Sequence, residues 1–224
     1  VFFALIIAIK YGVTRVPVIS PDDYHFGEQL LGWWSYLHGF IPYVDYVPAH
    51  GIFEDDIAMI FSTLFYDGMA GSHSESKRLA FIVFALVAFL SIKRFSGSLL
   101  VAFVSIYLLD GRITWFFFVP FICLWFSTWM RHSPARWLVV WLLTAPLVFL
   151  GIPAQGMILI LASGPIALYE TWHLLRSANF RAITVVFGVF LCICVCIAVT
   201  PLLPIIIGAL RHIFENASIN AIAY

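Results

Sequence analysis

Charged residues are scarce in this chain of 224 residues: Asp, Glu, Lys and Arg make up 11% of it, whereas hydrophobic residues make up 62%. A soluble domain carries about 25% charged residues, so the polar groups here are too few to cover a water-exposed surface. Lipid must therefore be the main solvent of the protein. The 12 basic and 12 acidic residues cancel, which leaves no basic surface of the kind that binds nucleic acid.

Several sequence patterns are also missing, and each absence argues against a class of protein. The alternating ten-residue segments of a membrane β-barrel do not occur. No His-Glu-x-x-His pattern is present, which disfavours a zinc protease. Because no His, Asp or Glu lies near the cysteines, we expect them to be packing residues rather than metal ligands. They are Cys123, Cys192, Cys194 and Cys196, of which the last three alternate along one predicted helix.

Apolar runs make up most of the chain. Backbone polar groups in lipid must be satisfied within the chain, so these runs predict helices. We predict a single all-α transmembrane domain over residues 1–224, a polytopic bundle of about 6–8 membrane helices that is incomplete at both ends. The runs cover 1–19, 53–66, 79–92, 98–109, 113–130, 137–150, 154–170 and 182–210.

Basic residues in short loops mark the cytoplasmic side of a membrane. Three loops carry such residues: Lys93 with Arg94, Arg131 with Arg136, and Arg176 with Arg181. We expect the runs between them to form two hairpins, 98–109 with 113–130 and 137–150 with 154–170. Asp110 then lies on the external side, and so does the acid-rich loop 20–52 if the first helix runs outward. An odd number of crossings must separate that loop from Lys93, so either the run 53–66 does not span, which we favour, or Lys93 is external.

Some residues inside the runs carry further expectations. Gly156 and Gly164 are small enough to allow close helix packing, and prolines such as Pro153 and Pro201 would kink or end helices. Lys10 lies inside the first apolar run. Its ammonium group could reach the lipid–water interface, as that of a lysine near a helix end does, only if the first helix is shifted from the bounds of this run. Tryptophans at the ends of runs are expected to anchor at the lipid–water interface. They are Trp33, Trp34, Trp115, Trp129, Trp137 and Trp141.

Acidic residues are concentrated in one segment: seven of the 12 lie between Asp22 and Asp56. Ser20 or Asp22 can cap a helix and acids in a first turn suit its dipole, so we predict a surface helix from about residue 22 to about residue 38. Its apolar strip would lie on the membrane. The strip consists of Gly27, Leu30, Leu31, Trp34 and Leu37.

The same acidic helix can also be interpreted as a site. His25 is three residues from both Asp22 and Glu28, so the three share one helical face, and Asp23 lies beside them. Carboxylates suit Mg²⁺ or Mn²⁺, and a histidine among them also admits Zn²⁺. A carboxylate here could instead serve as a general base beside a cation. The simpler alternative is that these acids only cap the helix.

The chain is expected to turn after this helix. Residues 39–42 predict the turn, and residues 43–46 are expected to form a short extended run before Pro48. His50 and Glu54 are four residues apart and could face one cavity. The three acids at 54–56 also suit the start of the next helix.

A family resemblance rests on the order of three motifs in this segment. They are the acidic pair Asp22-Asp23, a Gly-x-x-Pro-Tyr-x-Asp-aromatic turn at residues 39–46, and His50 followed by glycine. Together they resemble the first external loop of GT-C glycosyltransferases, multi-spanning enzymes that use polyprenyl-phosphate sugars as donors. Within that family, the resemblance is to bacterial sugar transferases of the cell envelope. The resemblance implies transfer of a sugar to a glycan, lipid or protein acceptor at the external face of the bacterial inner membrane.

The same resemblance implies roles for individual residues. In that family an acid of the first external loop is the catalytic base or a metal ligand, which points to Asp22 or Asp23. Asp110 matches the second acid, and a divalent cation, Mg²⁺ or Mn²⁺, would be held by Asp22 and Asp110. Substrate-binding roles are expected for Glu28, His25, Tyr43, Asp45, His50 and Arg112. Family members have more helices and often a soluble C-terminal domain, and this chain has neither.

The expected chemistry explains these residue types. A carboxylate that takes the proton of the attacking acceptor hydroxyl contributes a rate factor of about 10²–10⁴. The leaving phosphate needs a positive partner, for which Arg112 and Arg15 are candidates. The polyprenyl tail would lie in an apolar groove facing the membrane.

Two other functional classes stay open. A transporter or flippase would place charges at mid-membrane, but the runs after residue 113 hold almost none, and Glu170 lies near a helix end. A structural or assembly membrane protein would use the acidic loop only to bind a partner. In the full-length gene, more helices and a soluble C-terminal domain would favour the transferase, and an inverted repeat would favour transport.

Overall fold

The computed structural model describes residues 2–13, 31–48 except 33 and 36, 51–53, 64, 73–109, 113–177 and 179–223. Within these ranges the chain is all-α, as predicted, and contains no β-strand. Its eight named helices are α1 (Phe2–Val13), α2 (His73–Ser96), α3 (Leu99–Leu108), α4 (Ile113–Trp129), α5 (Pro134–Gly151), α6 (Pro153–Arg176), α7 (Phe180–Val199) and α8 (Leu202–Ala223).

Four helices are long and apolar enough to cross a membrane. They are Arg78–Ser96 within α2, and the whole of α5, α6 and α7; α3 and the Phe116–Trp129 part of α4 are shorter apolar helices. An apolar helix of this length matches the hydrocarbon thickness of a bilayer. The protein is therefore a membrane protein with transmembrane helices.

Local sequence signals define the ends of several helices. Gly97 has a φ of 72° and ends α2, a conformation that glycine adopts without strain. The Ser98 hydroxyl then accepts a hydrogen bond from the Val101 amide at the start of α3, as an N-cap residue does. Pro153 begins α6, and Ile152 is the single residue between it and the end of α5. Pro201 precedes α8, and both prolines confirm the predicted helix boundaries.

The last apolar run, 182–210, holds two helices, and Pro201, which was expected to kink or end a helix, lies between them. Helix α7 ends at Val199, and Thr200 is extended with φ −118° and ψ 169°. Pro201 follows, and because it has no amide hydrogen it cannot continue the helical hydrogen bonding. Helix α8 begins at Leu202.

The chain divides into two compact units. Unit 1 comprises residues 1–39 and 48–124, and unit 2 comprises residues 40–47 and 125–224. Helix α4 therefore contributes residues to both units.

In unit 1, helix α2 packs against α1 and α3, and α1 also packs against α3. Small residues allow the close approach of α2, since Ala80, Ala85 and Ala88 are completely buried. The buried ring of Phe53 lies 4.2 Å from the ring centroid of Phe117. The expected pairing of run 98–109 with run 113–130 is not seen, because among the described residues α3 packs mainly on α2 and α1.

Lys10 lies in the last turn of α1. Its ammonium group donates to the backbone carbonyl of Tyr107 and lies 3.9 Å from the centroid of the Tyr107 ring. A cation over an aromatic face is attracted by the ring quadrupole. The Lys10 ammonium group therefore lies near a helix end, and Tyr107 of α3 provides both its hydrogen-bond acceptor and its aromatic contact.

In unit 2, helices α5 and α6 form the hairpin that the sequence predicted. A Cβ at Gly156 would overlap the carbonyl oxygen of Val148 and lie 2.8 Å from the Cα of Phe149. Close helix approach at small residues is the usual way in which membrane helices associate. Gly156 confirms the expected role of a small residue. Gly164 does not, because nothing lies within 4 Å of a Cβ built there.

Tryptophan side chains join the helices of unit 2 through their indole N–H groups. The Trp125 indole donates to Thr144 Oγ1 at 2.7 Å, and the Trp141 indole donates to the Ser163 hydroxyl at 2.9 Å. The expected position of the tryptophans at the lipid–water interface stays a prediction. In lipid, an unpaired indole N–H would lack water as a partner, so these bonds are formed inside the protein.

The cysteines of α7 differ from expectation in one respect. Cys192, Cys194 and Cys196 are free thiols on the exposed surface of α7, a helix without a single buried residue. They are not core packing residues. Cys192 and Cys196 share a face, as predicted, and line one groove beside α5.

Candidate functional site

Two of the nine predicted site residues, Tyr43 and Asp45, lie in the described part of the chain. The other seven lie outside the described residues, and so do both members of the predicted metal site. They are Asp22, Asp23, His25, Glu28, His50, Asp110 and Arg112. Among the described side chains, no group of three His, Cys, Asp or Glu residues is placed to hold a metal ion.

The end of the predicted surface helix is described and agrees with the sequence. Leu31, Trp34 and Leu37 are helical and all three are exposed, as an apolar strip against lipid would be. The His38 ring stacks on the Trp34 ring with 4.2 Å between centroids, and its Nδ1 donates to the Trp34 carbonyl at 2.7 Å. Gly39 has a φ of 76° and ends the helix in the left-handed conformation that favours glycine.

Residues 40–47, here called the Tyr43 turn, are compact rather than extended. The Ile41 carbonyl accepts hydrogen bonds from the amides of Val44 and Asp45. In return, Asp45 Oδ2 accepts the Ile41 amide at 2.7 Å, so the carboxylate closes the turn. Tyr43 has a φ of 62°, and this left-handed residue reverses the chain. The predicted extended run at residues 43–46 is therefore wrong.

The Tyr43 turn is seated on helix α8, within unit 2. Tyr43 is 7% exposed, and its ring lies 6.2 Å from the imidazole of His212, measured between centroids. A Cβ at Gly208 would overlap the Tyr43 carbonyl oxygen and lie 3.1 Å from the Tyr43 Cβ. Gly208 is thus the residue that lets the turn contact the helix backbone.

The seated turn brings several polar groups to one part of unit 2. Asp45 is exposed, and the side chain of Tyr43, two residues before it, contacts His212. One residue before His212, the Arg211 guanidinium donates to the Glu215 carboxylate at 2.6 Å. A carboxylate, a phenol and an imidazole are suitable hydrogen-bond partners for sugar hydroxyl groups.

His212 was not predicted from the sequence. It lies in the segment after the last apolar run, far from the acidic loop. A signal was present, because Gly208 is followed after one turn by the polar pair Arg211-His212 in an otherwise apolar helix. The spacing of a small residue and a polar residue by about one turn places both on one helical face.

No protein-family model, curated protein or solved structure matches this chain.

Proposed function

We propose that this chain is the membrane domain of a glycosyltransferase that transfers a sugar from a polyprenyl-phosphate donor to a glycan, lipid or protein acceptor. The observation that carries the proposal is the Tyr43 turn. It is the described part of the motif that resembles the GT-C first external loop, and it is a hydrogen-bonded unit held against α8 by Tyr43 and Gly208.

Each of the predicted catalytic residues would have its own role in the sugar-transfer reaction. Asp22 or Asp23 would take the proton of the acceptor hydroxyl as it attacks the anomeric carbon, with Asp110 as a second acid. Arg112 would face the charge that develops on the leaving phosphate. Two carboxylates such as Asp22 and Asp110 are a donor set that suits Mg²⁺ or Mn²⁺, which would add positive charge beside that phosphate.

Tyr43, Asp45 and His212 would bind the sugar. Asp45 is exposed and uses Oδ2 within the turn, so its Oδ1 can accept from a hydroxyl group. Tyr43 and His212 face each other. The substrate-binding roles of His50, His25 and Glu28 are proposed from the resemblance alone.

The donor tail would lie in the apolar groove between α5 and α7. This groove encloses about 530 Å³ and is lined by residues such as Pro146, Gly188, Cys192 and Leu202. Leu202 lies six residues before Gly208 on α8, about 9 Å along the helix axis. A tail in this groove would therefore end close to the Tyr43 turn.

The test is sugar transfer in lipid vesicles from a polyprenyl-phosphate sugar. Asp22→Asn and Asp23→Asn should each leave membrane insertion intact, and at least one should reduce transfer by a factor of about 10²–10⁴. Glu75→Gln, which removes a carboxylate outside the acidic loop, is the matched control and should retain activity. Full activity in the Asp22→Asn, Asp23→Asn double variant would overturn the proposal.

A transporter is the second candidate, and one observation favours it. Glu170 is 7% exposed within the spanning helix α6, and ionisable residues inside membrane segments often mark substrate or ion paths. The Trp129 indole donates to Glu170 Oε1 at 2.9 Å, which gives the carboxylate a structural partner. Substrate uptake by vesicles that is abolished in Glu170→Gln would support transport.

A further inference from the structure

A second apolar groove in unit 2 lies among α5, α6 and α7. It encloses about 480 Å³ and is lined by side chains that include Leu138, Gly164, Leu168, Ile183 and Phe187. Along α6 the lining extends from Gly164 to Leu175, eleven residues or about 16 Å. These dimensions suit part of an extended alkyl chain.

The groove lining has few side chains that could form a hydrogen bond with a ligand. Thr171 and Trp141 are the lining side chains that carry polar groups. The Thr171 hydroxyl already donates to the Ala167 carbonyl at 2.7 Å, and the Trp141 indole donates to Ser163. A ligand with internal hydrogen-bonding groups would leave them unpaired here, at a free-energy cost. The groove therefore favours a hydrocarbon occupant.

Three arginines lie close in sequence to the residues at one end of this groove. At that end a buried cluster joins the start of α5 to the end of α6 through Trp137, Leu138 and Leu174, and Ile183 from the start of α7 packs against it. The residues beside this cluster in sequence are Arg136, Arg176 and Arg181. The same end of three helices thus carries three guanidinium groups.

These arginines are exposed and are not neutralised by the described part of unit 2. Arg136, Arg176 and Arg181 are all exposed, and no ion pair to any of them occurs among the described residues. Arg176 lies over the Trp172 ring, with 4.3 Å from its guanidinium carbon to the centroid. This contact leaves the guanidinium exposed at the end of α6, where its planar head can bind a phosphate.

We infer that this groove binds an anionic phospholipid of the surrounding bilayer, with one acyl chain along α6 and the phosphate at Arg136, Arg176 and Arg181. Basic pockets between membrane helices bind anionic headgroups, and the charge of the arginines complements a phosphodiester. The site is distinct from the proposed donor site. The groove shares no lining residue with the proposed donor groove. The Tyr43 turn contacts Gly208 of α8, whereas the arginines belong to α5, α6 and α7.

The first test removes the charge. The full chain is placed in phosphatidylcholine nanodiscs with and without phosphatidylglycerol, and native mass spectrometry measures the lipid that stays bound. The wild-type chain should retain phosphatidylglycerol in preference to phosphatidylcholine. Each Arg→Gln substitution should weaken retention about fivefold, and Arg136→Gln, Arg176→Gln, Arg181→Gln together about a hundredfold. Lys93→Gln with Arg94→Gln, which removes exposed charge from unit 1, is the matched control and should change nothing.

The second test fills the groove. Gly164→Leu places a side chain in open space where the acyl chain would lie, and should weaken retention about tenfold by displacing about two methylene groups. Gly188→Leu is the matched control, because Gly188 also meets nothing within 4 Å but lines the α5–α7 groove. Circular dichroism and the unfolding temperature establish that both variants are folded.

Three outcomes would overturn the inference. The first is equal retention of the two phospholipids by the wild-type chain. The second is a loss in either matched control as large as that in its partner variant. The third is displacement of phosphatidylglycerol by equimolar polyprenyl phosphate, which would assign the groove to that carrier.

Discussion

The substitution Gly208→Ala tests whether the Tyr43 turn packs against α8. The added methyl group would overlap the Tyr43 carbonyl oxygen and lie 2.9 Å from the Tyr43 carbonyl carbon. Both atoms belong to the backbone, so no side-chain rotation relieves the overlap. The turn must move away from α8, or α8 must bend.

The magnitude follows from a comparison with Gly188→Ala. Both substitutions replace a helical glycine, so both gain about 0.8–1 kcal/mol of helix propensity. A Cβ at Gly188 meets nothing within 4 Å, so this gain is its whole expected effect. Overpacking at Gly208 costs about 1–3 kcal/mol, and Gly208→Ala should therefore be less stable than Gly188→Ala by about that amount.

Two measurements check this expectation. Unfolding by detergent titration gives the difference in free energy of unfolding between the two variants. Hydrogen–deuterium exchange should accelerate at the amides of Tyr43, Val44 and Asp45 in Gly208→Ala only, because their hydrogen bonds lose the support of α8. Equal stability and equal exchange in the two variants would refute the proposed seat of the turn on α8.

Three other predictions follow from the packing of unit 2. Gly156→Ala should lower the free energy of unfolding by about 1–3 kcal/mol, with Gly164→Ala as the control that should not; equal values would contradict the close approach of α5 and α6. Asp45→Ala should accelerate exchange of the amide that its carboxylate accepts, and cost about 0.5–1.5 kcal/mol; unchanged exchange would argue against the closing role of the carboxylate. A double-mutant cycle of Trp129→Phe and Glu170→Ala should give a coupling of about 0.6–1.7 kcal/mol, and strictly additive effects would exclude a bond that stabilises the fold.

Local signals predicted much of the described fold. Low charge predicted lipid exposure, the α5–α6 hairpin followed from short apolar runs between basic loops, and Gly39 predicted the end of the surface helix. Each of these properties depends on a residue and its chain neighbours. The catalytic assignments to Asp22, Asp23 and Asp110 stay predictions.

The candidate site was predicted less completely. The sequence singled out Tyr43 and Asp45 but predicted an extended conformation for them, because the run precedes Pro48, which disfavours helix at the residue before it. The left-handed conformation of Tyr43 and the capping carboxylate of Asp45 overrode this preference. His212 could not be placed beside Tyr43, since no periodic pattern connects residues so far apart in the chain.

By itself the sequence determined that this protein is a set of apolar helices in a membrane, where they begin and end at most boundaries, and where its acidic residues gather. The tertiary structure alone decided which helices pair and which groups meet, such as the Tyr43 turn with Gly208 and the Trp129 indole with Glu170. The physical reason is that a helix apolar on every side carries no directional signal. In lipid its partners are selected by the fit of small residues and a few polar bonds, and both depend on surfaces that form only when the chain has folded.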